Sequence, residues 1–212
     1  METKMITINK EKVAEVYQNA SAETREVLKT LFGDESNFID KPKPNLDDYT
    51  TIKTYEDACE ALGEEPLPYE PNPIMTLYGI DYEVPPHIIA LMKLETISRA
   101  LWGKDWMPEP DASGSKLFYY PVFALYTQQE IENMDEDERG GLLSANAVGG
   151  ALAGFGYLDT GVRSSSATAY AGFRLCQETR EKALYFGKQF IELWVEYLKF
   201  NFEVGGRLKN NE

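Results

Sequence analysis

The sequence predicts an α+β protein: N-terminal helices, then a small, mostly antiparallel sheet packed against a long C-terminal helix. Three observations predict it. Apolar residues recur at helical spacing behind capping residues near the N-terminus, as in Val13, Ala14, Val16 and Tyr17 after Asn9. Aromatic and β-branched residues alternate from Lys116 to Tyr126. An aromatic stripe, Phe186, Phe190, Trp194 and Tyr197, repeats every three or four residues near the C-terminus.

Taken in order, Asn9 caps a first helix, and Ser21 caps a second that carries Val27, Leu28, Leu31 and Phe32 and stops at Gly33. Residues 34–51, with Pro42, Pro44 and several acids, read as a linker. Thr54 and Asp57 form a shortened capping box for a brief helix that ends at Gly63. From Glu64 to Pro86 lie Pro66, Pro68, Pro71, Pro73, Pro85 and Pro86. Proline removes backbone donors and fixes φ, so irregular extended chain is expected there, neither helix nor sheet. Pro86 then sits in the first turn of a helix bearing Ile88, Ile89, Leu91, Met92, Leu94, Ile97 and Leu101, with Gly103 as its stop.

The strand expected over 116–126 is apolar on both faces, and Pro121 marks it as an edge or a bend. An acidic run, Glu130 to Glu138, reads as a solvated loop, and residues 140–156 are rich in Gly and Ala. A second strand is expected over Ala171 to Cys176. Thr179 caps the final helix, which carries Ala183, Phe186, Phe190, Trp194 and Tyr197 at helical spacing, joined by Leu184, Ile191 and Leu198. Lys188–Glu192 and Glu196–Lys199 lie on its wetter side, and Gly205–Gly206 are its stop. These readings divide the chain into an N-terminal helical region (1–63), a Pro-rich linker (64–86) and an α+β domain (87–212), which one continuous domain would also accommodate.

Composition excludes several functions. Hydrophobic residues make up 43% of the 212, close to the roughly 45–50% of ordinary globular chains. With 21 Lys and Arg against 35 Asp and Glu, the net charge is −14. Such a surface repels phosphate backbones and anionic headgroups, so neither nucleic acid nor membrane is an expected partner. It suits solubility, or a basic protein partner. The longest apolar runs fall short of the roughly 18 residues of a membrane span. No charged segment followed by an apolar one opens the chain, so no signal peptide is read, and a cytosolic location is expected. Cys59 and Cys176 form no C-x-x-C pair and are expected to stay reduced.

No catalytic, metal or cofactor site is legible. His87 is the one histidine, which rules out sites built on two imidazoles. It sits at a helix start, where a surface histidine is ordinary, and Cys176 lies in an apolar run that suits a buried thiol. Asp135, Asp137 and Gly140 match a calcium loop, but Arg139 replaces an oxygen ligand and Asn146 stands where the closing carboxylate belongs. The glycines at 140, 141, 149, 150, 154 and 156 follow no phosphate-binding pattern. Trp102, Trp106, Tyr119, Tyr120, Phe123 and Tyr126 read as core before they read as a sugar platform.

Several stretches resemble a family found in phages and prophages of gut bacteria. They are Leu31-Phe32-Gly33, Asp57 to Gly63, Arg99-Ala100-Leu101 with Trp106 to Pro108, Tyr119 to Phe123, Arg174 to Cys176, and Gly187 to Phe190. The sequence departs from that pattern between 127 and 168. The resemblance carries no activity; it implies a phage-associated binding or assembly protein, non-enzymatic, located in a host cytoplasm or virion, with a protein partner and with self-association left open. An acidic inhibitor of a host defence protein is an alternative. A second likeness, in Gly154 to Tyr157, Ser164 to Ser166 and Ala171 to Leu175, is to formylglycine-generating-enzyme-like and C-type-lectin-related domains, and implies a ligand-binding module. Partner binding is expected in a pliant 140–170 loop, at Gly141, Ser144, Asn146, Gly149, Gly150, Ser164, Ser165 and Ser166. The alternative there is that the small residues pack tightly inside the protein or against another copy.

Overall fold

Capping chemistry sets most helix starts in the computed structural model, which describes residues 8–33, 43–68, 74–77, 79–104, 113–147, 152–164, 173–199 and 202–208. Asn9 accepts from the Glu11 and Lys12 amides and opens α1, Lys10–Gln18. Ser21 accepts from Thr24 and opens α2, Ala22–Phe32. Val13 and Tyr17 are buried against Leu28 and Phe32. Val16, Val27 and Leu31, expected on the same apolar face, are instead exposed. The two helices belong to a unit spanning residues 1–43.

Residues 44–212 form the second unit. The boundary therefore precedes the division expected at residue 63. α3, Tyr55–Leu62, opens on the Thr54–Asp57 capping box and ends at Gly63, whose φ of 70° favours glycine. It shares a core with α4, Pro86–Trp102: Ile52, Tyr55, Ala58 and Cys59 meet Leu94, Ile97 and Leu101. Leu46 and Tyr49, inside the segment read as a linker, pack against this cluster. The ion pair from Arg99 to Glu64 is bidentate, at 2.6 and 2.7 Å.

Between α3 and α4 the Pro-rich segment departs from the irregular chain expected. β1, Ile74–Leu77, and β2, Ile80–Glu83, pair antiparallel as a hairpin. No proline falls inside either strand, so the ladder keeps its donors, and Gly79 takes a φ of 75° in the turn.

The main sheet runs in the order β3-β5-β4-β6, all antiparallel. β3, Leu117–Tyr126, is an edge strand as Pro121 suggested, and its register with β5, Gly154–Ser164, shifts beside that proline between Val122 and Phe123. The acidic run expected as loop holds two short helices, α5, Gln128–Glu132, and α6, Glu136–Gly140. Each opens on a capping box, Thr127–Glu130 and Asp135–Glu138, which turns locally acidic sequence into helix N-termini. The 140–170 segment, expected as a pliant loop, instead supplies β4, Leu143–Ala147, and all of β5.

The glycines of β5 serve packing. A side chain on Gly154 would meet Ile131, one on Gly156 would meet Leu142, and one on Gly161 would meet the Tyr120 ring. These close approaches match the tight-packing alternative for the small residues rather than a mobile loop. The strand expected at 171–176 is absent among the described residues: Phe173–Leu175 is a 3-10 turn, followed by a bridge in which Gln177 exchanges both backbone hydrogen bonds with Tyr119. Gln177, wholly buried, also gives Nε2 to Ser98 Oγ at 2.8 Å and so ties the edge of β3 to α4.

The long C-terminal helix is two helices. α7, Arg180–Gln189, breaks at Phe190 (φ −110°, ψ 28°) before α8, Ile191–Leu198. Gly205–Gly206 do not stop a helix; they lie in β6, Phe202–Arg207, where the register with β4 shifts. α7 approaches the sheet closely because residue 187 has no side chain: a Cβ there would lie 2.7 Å from Pro121 and 2.8 Å from Tyr157. Phe186, Phe190 and Trp194 enter the helical core, while Ile191 and Val195 bury against Leu143, Ala145 and Phe155 of the sheet. The sheet thus packs on the C-terminal helix pair as the α+β reading requires.

Candidate functional site

Two features of residues 44–212 present chemistry to solvent. The first is the β1–β2 hairpin. Its register pairs Ile74 with Glu83, Met75 with Tyr82, Thr76 with Asp81 and Leu77 with Ile80. Cross-strand partners share a face. One face therefore carries Ile74, Thr76, Asp81 and Glu83, with Thr76 Oγ1 donating to Asp81 at 2.6 Å. The other carries Met75, Ile80 and Tyr82, none of them charged. On that apolar face Met75 is 50% exposed, Ile80 55% and Tyr82 46%. Among the described residues no other element packs extensively on either strand.

The second feature is a cleft of about 440 Å³. It opens where the sheet changes partners. Among the described residues β4 is in register with β5 at Leu143–Phe155 and Ser144–Gly154, with the Ala145 amide also donating to the Ala153 carbonyl. Two residues separate Leu143 from the end of α6. Residues 156–164 of β5 are left paired to β3 alone. Leu158 is the extra residue at the register shift, since Val122 pairs with Asp159 and Phe123 with Tyr157. The bulge turns its side chain out, 55% exposed, onto the cleft wall. Buried Leu142 and Ile191 line the same space.

Two cations enter the cleft, Lys188 from the last turn of α7 and Arg207 from the end of β6. The Lys188 ammonium lies 5.5 Å from the Tyr157 ring centre, and that ring is fixed by edge contact with Phe123 and by a 2.5 Å hydroxyl bond to Thr160. Arg207 donates to the Gly141 carbonyl at 3.4 Å. Among the described residues neither cation meets a carboxylate in an ion pair, although Asp137 and Glu138 also line the cleft. Glu138 is engaged in the α6 capping box. Tyr126 donates its hydroxyl to the Tyr157 carbonyl at 3.4 Å. Burial first, then Glu130 and Glu138, raises its phenol above the ordinary value, so it is a neutral donor.

Of the residues expected to bind a partner, the four described ones do not converge. Gly141 caps α6 and lines the cleft. Ser144 lies within β4 opposite Gly154, and its Oγ fills the space beside Gly205. Asn146 is exposed opposite Glu203. Ser164 ends β5 and donates to the Gly114 carbonyl at 2.6 Å. It stands ten positions along β5 from Gly154, roughly 33 Å of extended strand. Gly149, Gly150, Ser165 and Ser166 lie outside the described residues, as does Trp106.

Asp135, the first position of the calcium-like pattern, spends its carboxylate on the Glu138 amide at 2.8 Å. His87 is exposed in the first turn of α4. Burial pushes the Cys176 thiol up to about 11 and also raises Cys59, which makes both poor nucleophiles. Among the described residues no helix is long and apolar enough to cross a membrane. Comparison with protein-family models, curated proteins and solved structures finds no match to this chain.

Sequence reasoning missed both features. The hairpin had a signal, since Tyr78-Gly79 joins two apolar runs and a glycine in a two-residue connection favours a hairpin turn. The cleft had none. Lys188 and Arg207 are 19 positions apart, and only the pairing of β6 with β4 brings Arg207 to Gly141.

Proposed function

We propose that this is a phage-associated, non-enzymatic binding or assembly protein whose contact with its protein partner is the β1–β2 hairpin. The observation that carries the reading is the hairpin's uncharged face, with Met75, Ile80 and Tyr82 about half exposed. A lone two-stranded hairpin is marginal in water, and this one has little else to lean on. Fully burying such side chains is worth about 1.5–3 kcal/mol each, so each has on the order of 1 kcal/mol still to gain against a partner. The phage association rests on the sequence resemblance.

The test is mass spectrometry of purified phage particles carrying either the parent chain or an Ile80→Asp/Tyr82→Asp variant. Both positions are exposed, so the variant keeps the parent's melting temperature. The expected result is parent chain in the particles and variant chain reduced at least tenfold. Equal incorporation removes the hairpin from the contact, and absence of the parent chain from particles overturns the assembly reading. Light scattering of the free protein separates a partner from a second copy: a dimer that the variant abolishes means self-association.

A further inference from the structure

We infer that the cleft beside β5 is a second binding site, for the free C-terminus of a peptide that ends in an apolar residue. Three independent features meet there. The first is charge. In a chain with 35 acids and 21 bases, Lys188 and Arg207 line one cleft, and among the described residues neither closes an ion pair. Both are held in place by uncharged groups, the Tyr157 ring for Lys188 and the Gly141 carbonyl for Arg207. The two acids of the cleft, Asp137 and Glu138, form no ion pair with either among the described residues. Two positioned cations call for an anion, and a carboxylate takes charge-assisted bonds from both kinds of head group.

The second feature is an apolar lining. Leu142, Ile191 and the out-turned Leu158 give a side chain of leucine size a surface to cover. The volume of about 440 Å³ falls in the range of roughly 300–1,000 Å³ typical of ligand sites. The third is the backbone. Beyond Phe155, β5 has no strand partner among the described residues on the side facing β4. An extended segment can therefore run beside residues 156–158 and add main-chain hydrogen bonds to the side-chain and carboxylate contacts. The exposed Asp137 on the same cleft repels the carboxylate and favours a basic residue just before the last one. A bare small anion uses only the first feature and an apolar amide only the second and third; a peptide C-terminus uses all of them.

Titration calorimetry of the full chain with an N-acetylated Ala-Lys-Leu tripeptide tests this, against the same tripeptide as its C-terminal amide and against hexanoate. The free carboxylate peptide is expected to bind, with affinity falling as salt rises, and the amide and hexanoate each at least tenfold more weakly. Lys188→Met and Arg207→Met, at exposed positions, are each expected to weaken the peptide about tenfold or more while the melting temperature holds. Failure of the tripeptide to bind at millimolar concentration overturns the inference. So does equal binding of the amide, or affinity unchanged in both variants. Hexanoate binding as well as the tripeptide shows a small-anion site instead. None of these outcomes bears on the hairpin, whose variant leaves the cleft intact.

Discussion

Trp194 in α8 reaches back across the helix break to Phe186 in α7. Its indole Nε1 donates to the Phe186 carbonyl at 3.1 Å, and the two rings meet edge-on with centres 4.9 Å apart. The break at Phe190 frees carbonyls of the preceding turn from their helical partners, and the indole satisfies one of them. The same ring lies 5.3 Å from Phe123 of β3 and so couples the helix pair to the sheet.

Trp194→Ala removes that hydrogen bond and a 5%-exposed ring together. Large-to-small aromatic changes in a core cost about 3–5 kcal/mol, against a total stability of about 5–15 kcal/mol for a domain. The variant is expected to melt far below the parent or to be insoluble. Trp194→Phe keeps most of the ring contacts but leaves the Phe186 carbonyl without its donor, at about 1–3 kcal/mol, so it should fall between the two. Calorimetric melting of the three proteins measures the order; a Trp194→Ala protein as stable as the parent would place the α7–α8 junction outside the core.

Cys176 offers a second test. It is 8% exposed in a cluster with Trp102 and Phe118, and its carbonyl accepts from Trp102 Nε1 at 2.5 Å. Burial pushes the thiol up to about 11. At pH 8 only about one thiol in a thousand is then the reactive thiolate, against about a quarter for a free cysteine of ordinary pKa. Cys59, 1% exposed, is shielded in the same way. Ellman's reagent at pH 8 should leave both thiols of the native protein unmodified for hours and titrate two after denaturation. Fast native reaction of one equivalent would show that either cluster opens readily.

What the sequence made legible follows from how local each signal is. Asn9, Ser21, Thr54 and Thr179 cap the helices they were expected to cap, because a cap is a contact across three or four residues. Pro121 identified an edge strand for the same local reason. The misreadings arise where glycine has two uses. Gly154, Gly156 and Gly161 suggest freedom of the backbone, but their hydrogens make room for Ile131, Leu142 and Tyr120, side chains as many as 41 positions away. Gly205–Gly206 look like a helix stop and form an irregularity of β6. The acidic run concealed α5 and α6 because Glu130 and Glu138 are capping-box residues as well as charges. The cleft depends on β4 leaving β5 after a short ladder, a fact of topology that no local pattern carries.

Replacing residues 141–150 with a Gly/Ser linker of equal length sets the pliant-loop reading against the strand seen here. The replacement deletes Leu142, Leu143 and Ala145, which are 4%, 2% and 8% exposed. It also weakens β4, the strand that joins β5 to β6. Truncating a buried leucine costs about 2–5 kcal/mol, so two of them remove about 4–10 kcal/mol, comparable to the whole stability of a domain. Loss of Leu142 further empties the space over Gly156, where its Cδ2 now lies. The linker variant is expected to lose its cooperative melt by circular dichroism. Asn146→Ser, at an exposed position of the same strand, should stay within about 0.5 kcal/mol of the parent. If the linker variant instead melts like the parent, β4 contributes nothing to the core, and the segment is free to serve as a partner-binding loop after all.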